Sequence, residues 1–229
     1  MPDFTYLQIA KMIDHSMLQP TLTDAEMEAG CEVAKTYQVA SVCIKPYAVK
    51  AAASYLQGTG VAVGTVIGFP HGSHLTSVKV YESEQAMNDG AVELDMVVNI
   101  GKVLSKDWAY VKKDIAEVVT AAHARKALVK VIFENCFLQN EHKEMLCHIC
   151  GEVGADFVKT STGYGDSGAV PEDLRLMRRC SPAHVQVKAA GGVRNFARLL
   201  EFRAIGVTRI GATVSKSILD ECKAQLERS

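Results

Sequence analysis

The sequence predicts a (β/α)8 TIM barrel, and three observations lead to that prediction. Eight short apolar runs rich in β-branched residues recur along the chain, and segments with helical periodicity lie between them. Near-continuous apolar strands that alternate with amphipathic helices are typical of a parallel sheet covered by helices. The 229 residues divided by eight give about 29 per unit, which suits a barrel of this kind.

The eight predicted strands follow one another at regular intervals. They comprise residues 12–18, 41–44, 61–68, 92–99, 128–134, 157–162, 185–190 and 208–212. Between the first two strands, Thr23 and Glu26 have the spacing of a capping box that begins a helix. A later segment carries an apolar stripe at helical spacing, formed by Trp108, Val111, Ile115, Val118 and Val119.

No stretch rich in Pro, Gly or Ser divides the chain, so we expect residues 1–229 to form a single domain. A doubly wound open sheet remains the alternative architecture, because periodicity alone does not show that a sheet closes into a barrel.

The charge balance and hydropathy exclude several classes of partner. The chain has 25 Lys and Arg against 26 Asp and Glu, without a basic block, so we expect neither nucleic acid nor an anionic membrane surface as partner. The longest apolar run, residues 61–69, is far shorter than the ~18 residues that span a bilayer. The first residues lack a signal-peptide pattern, and the seven cysteines favour reduced thiols. We therefore expect a cytoplasmic protein that binds a small molecule.

Ionisable residues interrupt the predicted strands, where a buried charge is costly unless it is paired. Lys130, Lys159 and Lys188 lie in strands five, six and seven, and Asp14 and Asp95 lie in strands one and four. The lysine spacings are equal, since 159 − 130 = 29 and 188 − 159 = 29. This predicts the same depth on consecutive strands, near the C-terminal strand ends where barrel active sites lie.

Strand alternation extends this cluster to further polar residues. If Lys159 points into the barrel, Ser161 should do so too. The same rule places Glu134 beside Lys130 and Glu93 with Asp95.

Such a cluster suits imine chemistry on a carbonyl substrate. A lysine with an ordinary pKa of about 10.4 is a poor nucleophile at pH 7, but burial and a neighbouring ammonium bring the pKa to ~7 to 8. Lys188 would supply that ammonium beside Lys159, and Asp95 would move protons directly or through water. The alternative is that the lysines are ion-paired and only hold the barrel together, but buried ion pairs are weak stabilisers.

Glycines follow the last strands and favour a phosphate-binding site. Gly191 and Gly192 follow strand seven together with Arg194, and Gly211 and Thr213 follow strand eight. Barrels frequently bind phosphate with these two loops, although simple turn glycines are the alternative. Residues 163–168 match G-x-G-x-x-G, but the acidic residue that a dinucleotide site needs about 20 positions later is absent, so we do not expect a nicotinamide cofactor.

Sequence motifs along nearly the whole chain resemble those of the deoxyribose-phosphate aldolase family, which are class I aldolases with a (β/α)8 barrel. The matching segments are Ile13-Asp14-His15, Val42-Cys43-Ile44-Lys45-Pro46, Val66-Ile67-Gly68-Phe69-Pro70, Glu93-Leu94-Asp95-Met96-Val97, Lys130-Val131-Ile132-Phe133-Glu134, 154–163, Val187-Lys188-Ala189-Ala190-Gly191-Gly192 and Arg209-Ile210-Gly211.

The resemblance implies reversible cleavage of 2-deoxy-D-ribose 5-phosphate to acetaldehyde and D-glyceraldehyde 3-phosphate, with no metal and no cofactor. Lys159 is similar to the Schiff-base lysine, Lys188 to the lysine that tunes it, and Asp95 to the proton-transfer carboxylate. Asp14 is similar to a residue that supports the second lysine. The phosphate site implied by the resemblance comprises Gly163, Gly191, Gly192 and Gly211 with Arg194 nearby, and Thr213 keeps a hydroxyl there.

One departure from the family pattern concerns the phosphate loop. The family usually has a hydroxyl side chain where this chain has Val214, which leaves open a Schiff-base aldolase for another short or phosphorylated aldehyde. A sugar-phosphate binding protein without catalysis is the alternative from another class. Lys130 and Cys43 are expected near the site, and a homo-oligomer is compatible with the sequence although no exposed stripe specifies one.

Two further patterns favour structure over metal binding. Cys147 and Cys150 form a lone C-x-x-C, which is more typical of small apolar residues one helical turn apart. His71 and His74 follow strand three, but they lack the additional ligands of a catalytic metal site.

Overall fold

The computed structural model describes residues 3–228, and its centre is a closed barrel of eight parallel strands in sequence order. The strands are β1 (Ile13–Met17), β2 (Ser41–Ile44), β3 (Ala62–Ile67), β4 (Glu93–Val97), β5 (Leu128–Ile132), β6 (Phe157–Lys159), β7 (Gln186–Ala190) and β8 (Arg209–Ala212). Closure is direct, because Ile13 and Asp14 of β1 pair with Ile210 and Gly211 of β8. The predicted TIM barrel is confirmed, and the open sheet is wrong.

Helices follow every strand and cover the outside of the barrel. They are α1 (Tyr6–Ala10), α2 (Asp24–Thr36), α3 (Val49–Tyr55), α4 (Thr76–Asn88), α5 (Ile100–Leu104), α6 (Trp108–His123), α7 (Asn140–Val153), α8 (Pro171–Cys180), α9 (Phe196–Ile205) and α10 (Ser215–Glu227). Among residues 3–228, no helix has the length and apolarity that crossing a bilayer requires.

Local sequence signals explain where two of these helices begin. Thr23 caps α2 with its hydroxyl, and the Glu26 side chain accepts a hydrogen bond from the Thr23 backbone, so the predicted capping box is confirmed. The predicted stripe lies on α6, where Val111, Ile115, Val118 and Val119 are buried against the barrel. Burial of this face, more than intrinsic propensity, stabilises the helix.

Five strands end earlier than the sequence predicts, and the differences at β5 and β6 shape the site. β5 ends at Ile132 instead of Glu134, and β6 ends at Lys159 instead of Thr162. The chain leaves the ladder at these C-terminal strand ends to form the loops above the barrel, and Glu134 takes a left-handed conformation with φ 59°. The residues after the strand ends therefore belong to the loops.

The three lysines do not lie at one depth, so that prediction is wrong for Lys130. Lys159 pairs with Lys188 across β6 and β7, but Lys130 pairs with Phe157, and it is Ile132 that faces Lys159. Closing a barrel requires each strand to be staggered along its neighbour. Equal spacing in the sequence measures chain length between strands and not this offset, so Lys130 lies one layer deeper.

Candidate active site

A compact ion cluster fills the upper barrel interior around one carboxylate. The ammonium groups of Lys159 and Lys188 each donate to Asp95 Oδ2 at 2.7 Å. All three side chains are buried, and they come from β6, β7 and β4. The pairing of Lys159 with Lys188 across adjacent strands places the two nitrogens against the same oxygen.

A deeper layer of charges supports this carboxylate from below. Lys130 Nζ contacts Asp95 Oδ1 at 2.9 Å, Glu93 Oε2 at 2.6 Å and Asp14 Oδ2 at 3.3 Å. Asp14 Oδ2 also accepts from Lys188 Nζ at 2.5 Å. The predicted neighbours Glu93 and Asp95 thus share Lys130, and Asp14 contacts Lys188 directly.

Arg209 of β8 completes the cluster, and the sequence analysis missed it. Its Nη1 donates to Asp14 Oδ1 at 2.6 Å and contacts Glu93 Oε2 at 3.0 Å. The sequence does contain a pattern that indicates this position. Arg209 is an ionisable residue in a predicted strand, and it lies two positions before Gly211 on the same strand face. Although burial alone would lower the pKa of Arg209, Asp14 and Glu93 raise it, so this cation stays charged.

The charges of the cluster do not balance when every group is ionised. It holds four cations, which are Lys130, Lys159, Lys188 and Arg209. It holds three carboxylates, which are Asp14, Glu93 and Asp95. Because an uncompensated charge is costly in a buried site, one neutral lysine brings the cluster to balance.

The pKa directions indicate which lysine is neutral. Burial lowers the pKa of Lys159, and the Lys188 ammonium adds to this, while Asp95 opposes it incompletely. Burial acts on Lys188 as well, but Asp14 and Asp95 outweigh it and raise the pKa of Lys188. The pKa of Lys130 is raised well above its ordinary value for the same reason. Lys159 is therefore the lysine poised to lose its proton.

Asp95 and Asp14 remain ionised near neutral pH. Burial alone would raise the pKa of Asp95, but Lys130, Lys159 and Lys188 together hold it well below its ordinary value. Burial alone would also raise the pKa of Asp14, but Lys130, Lys188 and Arg209 lower it. The ionised Asp95 carboxylate therefore accepts hydrogen bonds from the lysine side chains around it.

A cavity of about 440 Å³ opens above the cluster at the C-terminal strand ends. Lys159, Lys188 and Cys43 lie on its inner surface. The predicted phosphate residues also line it, namely Gly163, Gly191, Gly192, Arg194, Gly211 and Thr213. Asp14, Asp95 and Lys130 lie below the cavity in the buried layer, where they contact the lysines but do not line it.

The sequence model of the DeoC/LacD family of aldolases matches residues 8–219 of this chain. The chain belongs to this aldolase family. A deoxyribose-phosphate aldolase from Rhodopirellula baltica is 56% identical over 226 residues, which cover 99% of this chain and 94% of the relative. The corresponding enzyme from Thermococcus kodakarensis is 48% identical and covers 93% of this chain and 96% of its own.

Solved structures agree with this assignment. A tetrameric deoxyribose phosphate aldolase from Aeropyrum pernix superimposes with a TM-score of 0.89 at 27% identity. The match covers 96% of this chain and 93% of that one. The barrel and its order of strands are thus those of known aldolases.

Further residues that line the aldolase cavity lie in β1 and in the loops after β1 and β6, and the sequence analysis did not single them out. They are Ser16, Leu18, Gln19, Pro20, Thr21, Thr162 and Tyr164. The Tyr164 hydroxyl donates to the Leu18 carbonyl at 2.8 Å, and its ring packs edge-on against Phe69. The C-terminal end of β1 lies on the same face of the barrel as the C-terminal ends of the other strands. This position could have indicated that residues after β1 contribute to the site.

Glycine is required where the loops after β6 and β7 form the cavity. Gly163, Gly191 and Gly192 have φ angles of 91°, 81° and 84°, a region that other residues rarely adopt. A Cβ on Gly168 would also meet the Gly191 carbonyl oxygen at 2.3 Å. The G-x-G-x-x-G pattern therefore serves close packing of two loops.

Cys43 lies at the cavity with its thiol 3.9 Å from Asp95 Oδ2. Burial, with a further contribution from the Asp95 carboxylate, raises the pKa of this thiol to about 11. Cys43 is thus protonated near neutral pH and behaves as a small buried side chain at the cavity.

Two other residues that the sequence analysis discusses, Val214 and His74, lie away from the ion cluster. Val214 is exposed at the start of α10 and is not part of the cavity lining. His74 borders a separate surface groove beside Tyr47 and Tyr81. Residues 3–228 contain no group of three or more His, Cys, Asp or Glu side chains arranged to hold a metal ion.

The Cys147 and Cys150 thiols are buried in α7, and burial raises the pKa of both. Since a buried thiol of raised pKa is unreactive, these residues pack as small apolar side chains.

Proposed function

We propose that the protein is a class I aldolase that reversibly cleaves 2-deoxy-D-ribose 5-phosphate to D-glyceraldehyde 3-phosphate and acetaldehyde, with Lys159 as the Schiff-base lysine. The observation that carries the proposal is the unbalanced cluster, in which Lys159 has a lowered pKa while Lys188 on the neighbouring strand has a raised one. Relatives that share about half of their sequence with this chain are deoxyribose-phosphate aldolases, which supports the choice of substrate.

In the first step, the neutral Lys159 amine attacks the aldehyde carbon of the open-chain sugar. The Lys188 ammonium supplies one proton, the carbinolamine loses water, and a protonated imine remains beside Asp95. The cluster therefore accommodates this intermediate with Asp95 as its counter-ion.

In the second step, the imine withdraws electrons from the bond between C2 and C3. A base removes the proton of the C3 hydroxyl, the carbon–carbon bond breaks, and D-glyceraldehyde 3-phosphate leaves. The remaining enamine takes a proton at C2, and hydrolysis releases acetaldehyde and returns the Lys159 amine.

Asp95 and Lys188 manage the protons of these steps. Because the pKa of Asp95 is lowered, this carboxylate accepts a proton only transiently or orients a water molecule. The pKa of Lys188 is raised, so between turnovers Lys188 stays protonated as an ammonium. Asp14 keeps Lys188 charged, and Lys130 keeps Asp95 charged from below. These roles make Lys159, Lys188 and Asp95 the catalytic set and Asp14 its support.

The phosphate end of the substrate is assigned to the loops after β6, β7 and β8. Gly163, Gly191, Gly192 and Gly211 offer backbone there without side chains, and Arg194 and Thr213 add a charge and a hydroxyl at the same cavity. Val214 lies outside the cavity lining. The departure at Val214 therefore no longer favours the alternative hypothesis of an aldolase for a different short or phosphorylated aldehyde.

Trapping of the intermediate tests the proposal. The protein is incubated with acetaldehyde and borohydride, and the reduced adduct is mapped by mass spectrometry. We expect a single adduct on Lys159 and cleavage of 2-deoxy-D-ribose 5-phosphate that chelators do not inhibit. A non-catalytic binding protein would give neither adduct nor cleavage, and an adduct confined to other lysines would overturn the mechanism.

We further propose that residues 1–229 form a single domain that works in the cytoplasm as a homo-oligomer. The free thiols of all seven cysteines suit a reducing compartment. Exposed apolar side chains, including Tyr47, Leu75 and Tyr81, support self-association. Light scattering coupled to size-exclusion chromatography tests the oligomer, and a monomeric mass would overturn it.

A further inference from the structure

Glu134, which follows β5, is a buried carboxylate that lies outside the ion cluster. The expectation that it lies beside Lys130 is wrong, because its carboxylate accepts hydrogen bonds from the Thr162 backbone N–H at 3.1 Å and from the Thr162 hydroxyl. The side chain is only 2% exposed, and these donors in the described part of the chain are neutral. A buried carboxyl group is costly unless its hydrogen bonds are made, and here Thr162 makes them.

The backbone at Glu134 is also unusual. Its φ and ψ angles of 59° and 66° lie in the left-handed region, which non-glycine residues seldom occupy. Such conformations persist where the surroundings hold them, and they collect at functional sites. Here the next N–H, that of Asn135, donates to the Thr160 carbonyl at 2.9 Å, so the turn after β5 is tied to the loop after β6.

Hydrogen bonds continue from Glu134 to the far side of the cavity. The Thr162 hydroxyl oxygen accepts from the Tyr164 N–H at 3.0 Å, and the Tyr164 hydroxyl donates to the Leu18 carbonyl at 2.8 Å. Gly165 packs closely over the start of this path, since a Cβ there would lie 2.5 Å from Cys136 Sγ. The path joins the loops after β5, β6 and β1.

We propose that Glu134 is a positioning residue that holds the 162–164 turn, and with it Gly163 and Tyr164, in place at the cavity. Thr162, Gly163 and Tyr164 line the cavity, whereas Glu134 lies behind them and does not. Its effect is therefore on the loop that receives the phosphate end of the substrate. The effect on phosphate binding rests on the proposed function, whereas the ordering of the 162–164 turn by Glu134 does not.

Hydrogen exchange measures the ordering directly in the full-length protein. Glu134→Ala removes both hydrogen bonds, whereas Glu134→Gln can accept one from the Thr162 N–H and donate one to the Thr162 hydroxyl oxygen. Both variants keep a side chain at the same left-handed position, so backbone strain is matched. We expect exchange in residues 162–165 to rise about tenfold or more in Glu134→Ala and to stay near the wild-type rate in Glu134→Gln. Residues 41–44 of β2 serve as the internal reference.

Unchanged exchange at residues 162–165 in Glu134→Ala would overturn the inference, whatever the protein's activity. A rise of equal size in β2 would also overturn it, because Glu134 would then support the barrel as a whole.

Kinetics test the consequence for the substrate. We expect Glu134→Ala to lower the ratio of kcat/KM for 2-deoxy-D-ribose 5-phosphate to that for 2-deoxy-D-ribose by about tenfold, through KM of the phosphorylated sugar. Borohydride trapping of acetaldehyde on Lys159 should be unchanged, and Glu134→Gln should restore most of the ratio. Equal losses for both sugars together with reduced trapping would contradict the positioning role. If the proposed function is wrong, the wild-type protein itself neither cleaves 2-deoxy-D-ribose 5-phosphate nor forms an acetaldehyde adduct on Lys159. Hydrogen exchange at residues 162–165 then still tests the positioning role of Glu134.

Discussion

Two regions of this molecule that hold buried lysines, one outside the barrel and one inside it, differ in what they can do chemically. Outside the barrel, between α4 and α6, Lys79 Nζ contacts Asp114 Oδ2 at 2.6 Å and donates to the Val97 carbonyl at 2.9 Å. Inside the barrel, Lys159 and Lys188 share one oxygen of Asp95. Burial lowers the pKa of Lys79 as it lowers that of Lys159, against the opposing effect of the partner carboxylate.

The difference lies in charge balance and access. Lys79 has a carboxylate of its own and is fully buried, at 0% exposure. Lys159 competes with two other lysines for Asp95 and lines a cavity of about 440 Å³. A lowered pKa therefore identifies a reactive lysine only where a substrate can reach it and where excess positive charge favours the neutral amine.

Loss of Lys159 should have the largest effect on activity. We expect Lys159→Met to reduce kcat by more than about 10³-fold, because the amine assigned to form the imine is gone. The fold should persist, since the remaining cations Lys130, Lys188 and Arg209 balance the three carboxylates. Rates of cleavage and thermal unfolding check both points, and substantial remaining activity with an adduct on Lys188 would reverse the assignment of the two lysines.

Loss of Lys79 should instead affect stability. We expect Lys79→Met to lower the free energy of unfolding by about 3–5 kcal/mol, because the buried Asp114 carboxylate loses its cation. The double variant Lys79→Met, Asp114→Leu should recover most of this loss in urea unfolding. Activity per folded molecule should stay at the wild-type level in both, and a large fall in kcat of the double variant would show that the two regions are not separate.

Replacement of Lys188 should change the pH dependence of catalysis. In Lys188→Met the neighbouring ammonium is gone and Asp95 interacts more fully with Lys159, so the pKa of Lys159 rises. Schiff-base formation then requires a higher pH, and we expect the rate at pH 7 to fall about 10²-fold. Lys188→Arg keeps the charge and should shift the pH profile less. An unchanged profile in Lys188→Met would refute the tuning role.

Sequence patterns predicted the inner region far better than the outer one. Lys159, Lys188, Asp95 and Asp14 stand out because strand interiors are otherwise apolar, and strand alternation places them on the inner face. Lys79 lies in a helix among polar residues, where a lysine is ordinary. Its partner Asp114 is 35 positions away along the chain, and only the packing of α4 on α6 brings the two together.

Depth and loop conformation were not predictable in the same way. Chain spacing does not reveal strand stagger, which depends on barrel closure, so the predicted common depth of Lys130 and the other lysines is wrong. Glu134 was placed inward because strand alternation was extended beyond Ile132, where the backbone turns to a left-handed conformation. Tyr164 was passed over because its contact with Leu18 joins loops that are 146 positions apart.

The smallest expected effect concerns how the stability of the outer pair depends on pH. Asp114→Asn removes the negative charge that raises the pKa of Lys79, so burial lowers that pKa further in the folded protein. Between this folded pKa and the unfolded value of about 10.4, the unfolded chain binds more protons than the folded one. Stability of the variant therefore rises with pH in that window, by at most about 1.4 kcal/mol per pH unit. Urea unfolding of wild type and variant between neutral pH and pH ~10 should show the destabilisation shrinking as pH rises. If the difference in unfolding free energy were instead constant across that range, Lys79 would remain fully charged without Asp114, and its lowered pKa could not be compared with that of Lys159.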